Sequence, residues 1–266
     1  EEVAGPAADT PSVANNSRVR TISGSLTGDH LRRVEFTGTL DPGTGDPAVA
    51  SWDIGGVIEG LELSPELCGS LPLLAAERMR TLGTFRGRGQ FGFRLRSGDS
   101  PEKPMFFQLS GDVEEGRMDD PRLPYPLTNM RATICCNNDG FSVKDLVAQS
   151  GQTTMQLSGK MAGFGQKAPW EFEAQINELK LEKSLRASLP PKLQAAWDKY
   201  SPSGQLRQVN LKLKSDLTGF RSDLARVSAD CRDVAFAHKK FPYRLEHAHG
   251  TIDLKQKILT ANLTGY

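Results

Sequence analysis

The sequence predicts a mainly β chain, built as tandem repeats with one short helix inserted in each repeat. Three observations carry that reading. LPYPLTNMRATI (residues 123–134) recurs as FPYRLEHAHGTI (residues 241–252), an offset of 118 residues. The same offset brings Trp52 onto Trp170 and QFGFRLRS onto QVNLKLKS with no gap, the signature of a duplicated unit. Most of the intervening segments alternate apolar and charged residues, the period of a half-buried strand.

The repeat sets the expected organisation. Within it Pro124, Tyr125, Leu127, Thr133 and Ile134 fall on Pro242, Tyr243, Leu245, Thr251 and Ile252. Around the tryptophans, Ile58, Leu61 and Leu63 fall on Ile176, Leu179 and Leu181. Residues 22–38 resemble residues 143–159, and LTANLTGY at the end starts that element a third time. The expected divisions are a flexible linker (1–18), the tail of a preceding repeat (19–51), a complete repeat (52–169) and a second, C-terminally truncated repeat (170–266). The opening EEVAGPAADTPSVANNS is small, polar and without a core face, and no initiator Met is present. The chain therefore reads as a piece of a longer protein.

The elements follow from local pattern. Phe91, Phe93 and Leu95 alternate with Arg94 and Arg96; Val209, Leu211 and Leu213 alternate with Asn210, Lys212 and Lys214. Phe107, Leu109 and Val113 share a parity, as do their counterparts Ala225, Val227 and Cys231. Met130, Ala132, Ile134 and Cys136 match Ala248, Gly250, Ile252 and Leu254 in the same way. Each run gives a strand with one apolar and one solvated face. Apolar parity slips between Ile58 and Leu61, which predicts a bulge or bend. In SLPPKLQAAWDKYSPSG, Leu193, Trp197 and Tyr200 recur at helical spacing, Pro191 suits a first turn and Ser188 a cap. Helices are expected near residues 72–82 and 190–200, their stripes packed on the sheet. Each Pro-Tyr pair is expected in a connection that sets the following strand, with the tyrosine ring as anchor.

Composition excludes several classes. A hydrophobic share of 38%, a charged share of 24% and a net charge of +1 fit a globular chain with no global field for nucleic acid. No apolar run is long enough for a spanning helix. Cys68, Cys135, Cys136 and Cys231 form no CxxC pair and read as thiols, with Cys135 and Cys136 on opposite sheet faces. His247 and His249 share a strand face, but Asn129 and Arg131 stand at the equivalent positions, so a solvated face is expected and no metal. Asp112 and Asp230 recur one repeat apart, too far to converge on one substrate. The arginines of FRGRGQFGFRLRS are mostly lost in the second copy, which argues against RNA. No GxSxG or GxxxxGK[ST] is present, so neither catalysis nor a cofactor is expected.

The carriers SGSLTGDHLRRVEFTG, VKDLVAQSGQTTMQLSG, LPYPLTNMRATICCNNDGFSVKDL and FPYRLEHAHGTIDLKQKILTANLTGY repeat a strand, Gly-terminated turn and strand. In this they resemble the AsmA-like and TamB-like proteins of the envelope of double-membraned bacteria. That resemblance implies a long antiparallel sheet curled into an open groove, apolar inside and polar outside. It implies a periplasmic location, a membrane anchor outside this segment, and phospholipid transport between membranes. The partners it implies are phospholipid acyl chains and adjacent repeats of the same chain. The groove candidates are then Phe91, Phe93, Leu95, Phe107, Leu109, Val209, Leu211, Leu213 and Val227. The competing expectation is a structural β-repeat whose apolar faces are closed by packing.

Overall fold

The structure, a computed structural model, describes residues 19–42, 50–70, 84–100, 103–120, 123, 125–164, 168–189, 191–215, 223–238, 243–255 and 258–266. The expected linker (1–18), the expected helix 72–82, Pro124 and Pro242 lie outside these residues. The described residues form one open antiparallel sheet of 13 strands, each hydrogen-bonded to its neighbours in chain order. The strands are β1 (Arg20–Gly28), β2 (Leu31–Asp41), β3 (Ser51–Leu63), β4 (Phe85–Ser100), β5 (Lys103–Met118), β6 (Leu127–Asn137) and β7 (Gly140–Ser150). They continue as β8 (Thr153–Ala162), β9 (Trp170–Leu181), β10 (Ser203–Lys214), β11 (Asp223–Ala237), β12 (Arg244–Lys255) and β13 (Ile258–Thr264). β1 and β13 are the outermost strands of this order.

Three short helices are present among the described residues. α1 (Pro65–Ser70) follows β3; α2 (Lys183–Ser188) and α3 (Pro191–Tyr200) both lie between β9 and β10. The sequence predicted one helix there with Ser188 as its cap. Ser188 instead ends α2, where its hydroxyl donates to the Ser184 carbonyl at 3.3 Å. Arg186 ties the two helices by donating to both carboxylate oxygens of Asp198, at 2.6 and 2.7 Å. Of the expected stripe, Trp197 is half-buried and the Tyr200 ring meets His238 at 5.2 Å, while Leu193 stays exposed.

Turn chemistry sets the tight hairpins. Between β6 and β7 the Asn137 side-chain oxygen accepts the N–H groups of Asp139 (2.9 Å) and Gly140 (3.1 Å), an Asx turn. Longer strands are bent by bulges. The predicted one appears as a register shift between Ile58 and Leu61, with Gly60 at φ +63°. Glu178 in β9 has φ +55°, and Asn129 and His247 have φ +51° and +50°. Left-handed backbone of this kind accommodates the extra residue of a bulge.

Cross-strand partners lie on the same face of a sheet. Following them, Val34, Ile58, Phe91, Gly111, Ile134, Val143, Gly159, Phe172 and Leu213 form one row across nine strands, β2 to β10. Glycine in this row sits where a ring needs room. A Cβ at Gly111 would collide with the Gln90 carbonyl oxygen and come within 2.7 Å of the Phe91 ring. Gly159 stands in the same relation to Phe172, and Gly56 to Phe93. The ring covers the bare backbone of its neighbour, a pairing that stabilises curved sheets. Gly111→Ala is expected to lower unfolding stability by about 1–3 kcal/mol through overpacking. Gly92→Ala, whose Cβ would meet nothing closer than 3.7 Å, should cost far less in the same denaturant titration.

Candidate functional site

The nine candidate side chains all lie on one face of the sheet. Phe93 stands opposite Leu109 and Leu95 opposite Phe107 on β4 and β5. Leu211 stands opposite Val227 on β10 and β11, and Val209 opposite Ala229. The two groups are joined by the row already traced, since Phe91 begins on β4 what Leu213 ends on β10. Phe91 and Val209 are buried, at 4% and 6% exposure, and the other seven are half-buried.

Further rows on this face are equally free of polar residues. One runs Phe36, Gly56, Phe93, Leu109, Cys136, Phe141, Met161 and Trp170. Another runs Leu146, Leu157, Ala174, Leu211, Val227, Leu254 and Leu259, and beside it Ala148, Met155, Ile176, Val209, Ala229, Ile252 and Ala261. Sequence reasoning named none of the β7 and β8 members as candidates, although they bridge the two groups. Their signal was present: Met155, Leu157, Gly159 and Met161 alternate with Gln156, Ser158 and Lys160.

Packing on the face is densest around β4 to β7. Phe85, Phe91, Val113, Met130 and Ala148 form a buried cluster, with Ile58, Leu109, Ile134, Leu146 and Met155 partly buried against it. No polar or charged residue is buried among the described residues.

The opposite face is polar and laced with ion pairs. Arg94 donates to both Asp53 oxygens, from Nε at 2.9 Å. Lys212 contacts Glu173 at 2.7 Å and Glu171 at 3.0 Å. Arg32 reaches Glu59 at 2.7 Å and Arg88 reaches Glu62 at 3.3 Å. The Arg96 guanidinium lies 4.5 Å over the Phe106 ring, which covers an aromatic on this wet side. Such exposed pairs contribute little individually. Together they keep the face hydrated. Hydrogen bonding from Arg94, with its charge, holds the Asp53 carboxyl below its ordinary value of 3.8. Because the folded value is the lower one, the pair stabilises the fold above that ordinary value and loses its effect as pH falls through the folded value. A cavity of about 1030 Å³ is also on the polar side, ringed by Asp29, Arg32, Glu59, Arg88, Asp112 and Thr133.

The remaining polar candidates have local partners. Asp112 accepts from the Thr133 hydroxyl at 2.6 Å, and Asp230 pairs with Arg207. His247 Nδ1 lies 2.9 Å from Asp233 and its ring 5.4 Å from that of Tyr266, while His249 is exposed. Among the described residues no group of three or more His, Cys, Asp or Glu is placed to hold a metal. No helix among them is long and apolar enough to cross a membrane. Cys135 pairs with Ser110 and Ser142 on the polar face, Cys136 with Leu109 and Phe141 on the apolar one. None of Cys135, Cys136 and Cys231 is held in a disulfide. The side chain of Cys68 is outside those described. Tyr125 anchors its strand through its hydroxyl rather than its ring: the ring is half exposed, and the O–H donates to Glu182 at 2.9 Å.

No family model matches this chain, and neither a curated protein nor a solved structure does.

Two measurements test this site. Replacing Arg94 with Met should return the Asp53 pKa toward 3.8, read by NMR titration. Burial raises the Cys231 thiol to about 11, with the neighbouring Asp230 charge adding to it, so thiolate is scarce at pH 8. In native protein at that pH, mass spectrometry should find Cys231 unalkylated by iodoacetamide while Cys135 is modified, and Cys231 should react only after unfolding.

Proposed function

We propose that this chain is a non-catalytic segment of a bacterial envelope protein, and that its apolar face forms a groove for phospholipid acyl chains moving between membranes. The observation that carries the reading is the row from Val34 to Leu213, which crosses nine strands without a polar step. A hydrocarbon chain sliding along such a face strands no charge, and a charge facing it would cost several kcal/mol to desolvate. The open sheet leaves that face without a second sheet among the described residues. Side chains on it nevertheless reach exposures below a tenth, which a sheet bent around them would explain. The location across the periplasm follows from the resemblance to the AsmA-like and TamB-like proteins.

The tandem reading belongs to the same proposal. Several features recur at the 118-residue offset. Trp52 N–H donates to the Ser97 hydroxyl oxygen at 3.1 Å, and Trp170 N–H to that of Ser215 at 3.0 Å. The Arg94–Asp53 pair has its counterpart in Lys212–Glu171, and the left-handed Gly60 and Asn129 in Glu178 and His247. On this reading the complete unit, 52–169, holds six strands, β3 to β8. β1 and β2 are the last two of a preceding unit, and β9 to β13 the first five of a following one. The adjacent units are each other's partners, sharing edges as β8 and β9 do.

A structural scaffold is the second reading, favoured by the cluster around Phe91, Val113, Met130 and Ala148. There the side chains already cover one another. The two readings diverge on accessible apolar surface, so a photo-crosslinking residue at Phe93 and at Leu211 in the intact protein separates them. The groove reading expects phospholipid adducts at both positions. It also expects Phe93→Asp and Leu211→Asp to block lipid passage while lowering the melting temperature by only a few degrees. No adduct, with both Asp variants unfolded, would leave the scaffold reading standing.

A further inference from the structure

One end of the apolar face carries a roofed pocket of about 620 Å³. Its floor is sheet: Leu127, Met155, Ile176 and Leu179. Its roof is not. Leu123 and Tyr125, from the β5–β6 connection, and Leu185, from α2, close over the floor. The Tyr125 hydroxyl donates to Glu182 at 2.9 Å and lies 3.2 Å from the Ser184 hydroxyl, latching the connection to the start of α2. Volume and lining fit the range of small-ligand sites, about 300–1,000 Å³ and mostly apolar with a few polar groups.

The rim decides what sort of ligand suits it. Its charged residues are Arg117, Lys180 and Glu182. Glu182 is engaged by Tyr125, and Arg117 by Asp119 at 2.7 and 2.8 Å. Lys180 has no ion pair among the described residues. An apolar interior under a rim with an available ammonium is complementary to a hydrocarbon tail ending in an anion. A comparable cavity of about 530 Å³ surrounds Tyr243, 118 residues after Tyr125, with Tyr200, Phe236, Leu245 and Tyr266. A recess lined by a tyrosine thus occurs twice on one sheet.

We infer that the pocket beneath Tyr125 binds a single-chain anionic amphiphile, its tail between β6–β9 and α2 and its carboxylate at Lys180. The inference does not rest on transport, because a resident ligand needs the recess and not the length of the groove. The probe is a fluorescent long-chain fatty acid titrated into the whole chain, with the matching long-chain alcohol as neutral control.

Filling the recess with Leu185→Trp should weaken both probes at least tenfold, and Leu185→Glu should do the same if it folds. Lys180→Glu should weaken the acid about three- to fivefold, the size of one exposed charge pair, and leave the alcohol unchanged. Lys214→Ser, on the polar face at the far end of β10, should leave both intact. Unchanged affinity in Leu185→Trp removes the pocket. Equal effects of Lys180→Glu on acid and alcohol remove the anion. Fatty-acid binding here without lipid adducts at Phe93 keeps the pocket and sinks the groove; adducts at Phe93 with unaltered binding in Leu185→Trp do the reverse.

Discussion

Register is the constraint on which this sheet depends. With a side-chain period of two, a slip of one residue would carry a strand's apolar set to the wet face. Over thirteen strands that risk recurs at every hairpin. The bulges absorb it. Between Val143 and Leu146 the β7–β8 register shifts, with Asp145 left-handed at φ +50°. Before the shift Val143 faces Gly159, and after it Leu146 faces Leu157, so apolar meets apolar on both sides. The cost of a left-handed non-glycine residue is of order 1–2 kcal/mol. Keeping several apolar side chains out of water offsets it.

Segregation of charge follows from that register. Asp53, Arg94, Glu171, Glu173 and Lys212 meet on the face where water solvates them, and none has to be buried. The apolar face can therefore be continuous. Aromatic rings laid over glycines complete it, since Phe91 over Gly111 and Phe172 over Gly159 occupy space that two full side chains would contest. Small and large alternate across strands as well as along them.

Much of the fold was legible because it depends on period. The alternation in GQFGFRLRS and in QVNLKLKS identified β4 and β10, and the parity slip after Ile58 marked the place where the strand bulges. Helix α3 was legible from Leu193, Trp197, Tyr200 and its leading Pro191. Its neighbour α2 was not: KSLRAS has one turn and a half, too short to show a stripe, and Arg186 holds it through a partner twelve residues away. The candidate face was half legible. Parity assigned Phe91 and Leu211 to apolar faces, but only pairing through β7 and β8 puts those faces on one side. The Tyr125 latch was missed for a related reason: Glu182 and Ser184 are distant in sequence and nothing local marks them.

What a single sheet does with its apolar face is finally a question of area. Phe91, Val113, Met130 and Ala148 are covered by their neighbours and have little left to gain. Leu109, Ile58, Leu146 and Met155 around them are only partly covered, as are Phe93, Leu95 and Leu211 farther out. Each square ångström left wet forgoes about 25 cal/mol, a term that sums along rows spanning seven to nine strands. A closed core would have recovered it with a second layer. This sheet has no second sheet against it among its described residues, and α2 meets the rows only at one end, where Leu185 lines a pocket with Met155 and Ile176. The unrecovered area is what a hydrocarbon chain would cover, and the affinity of any such chain should grow with the length of row it occupies.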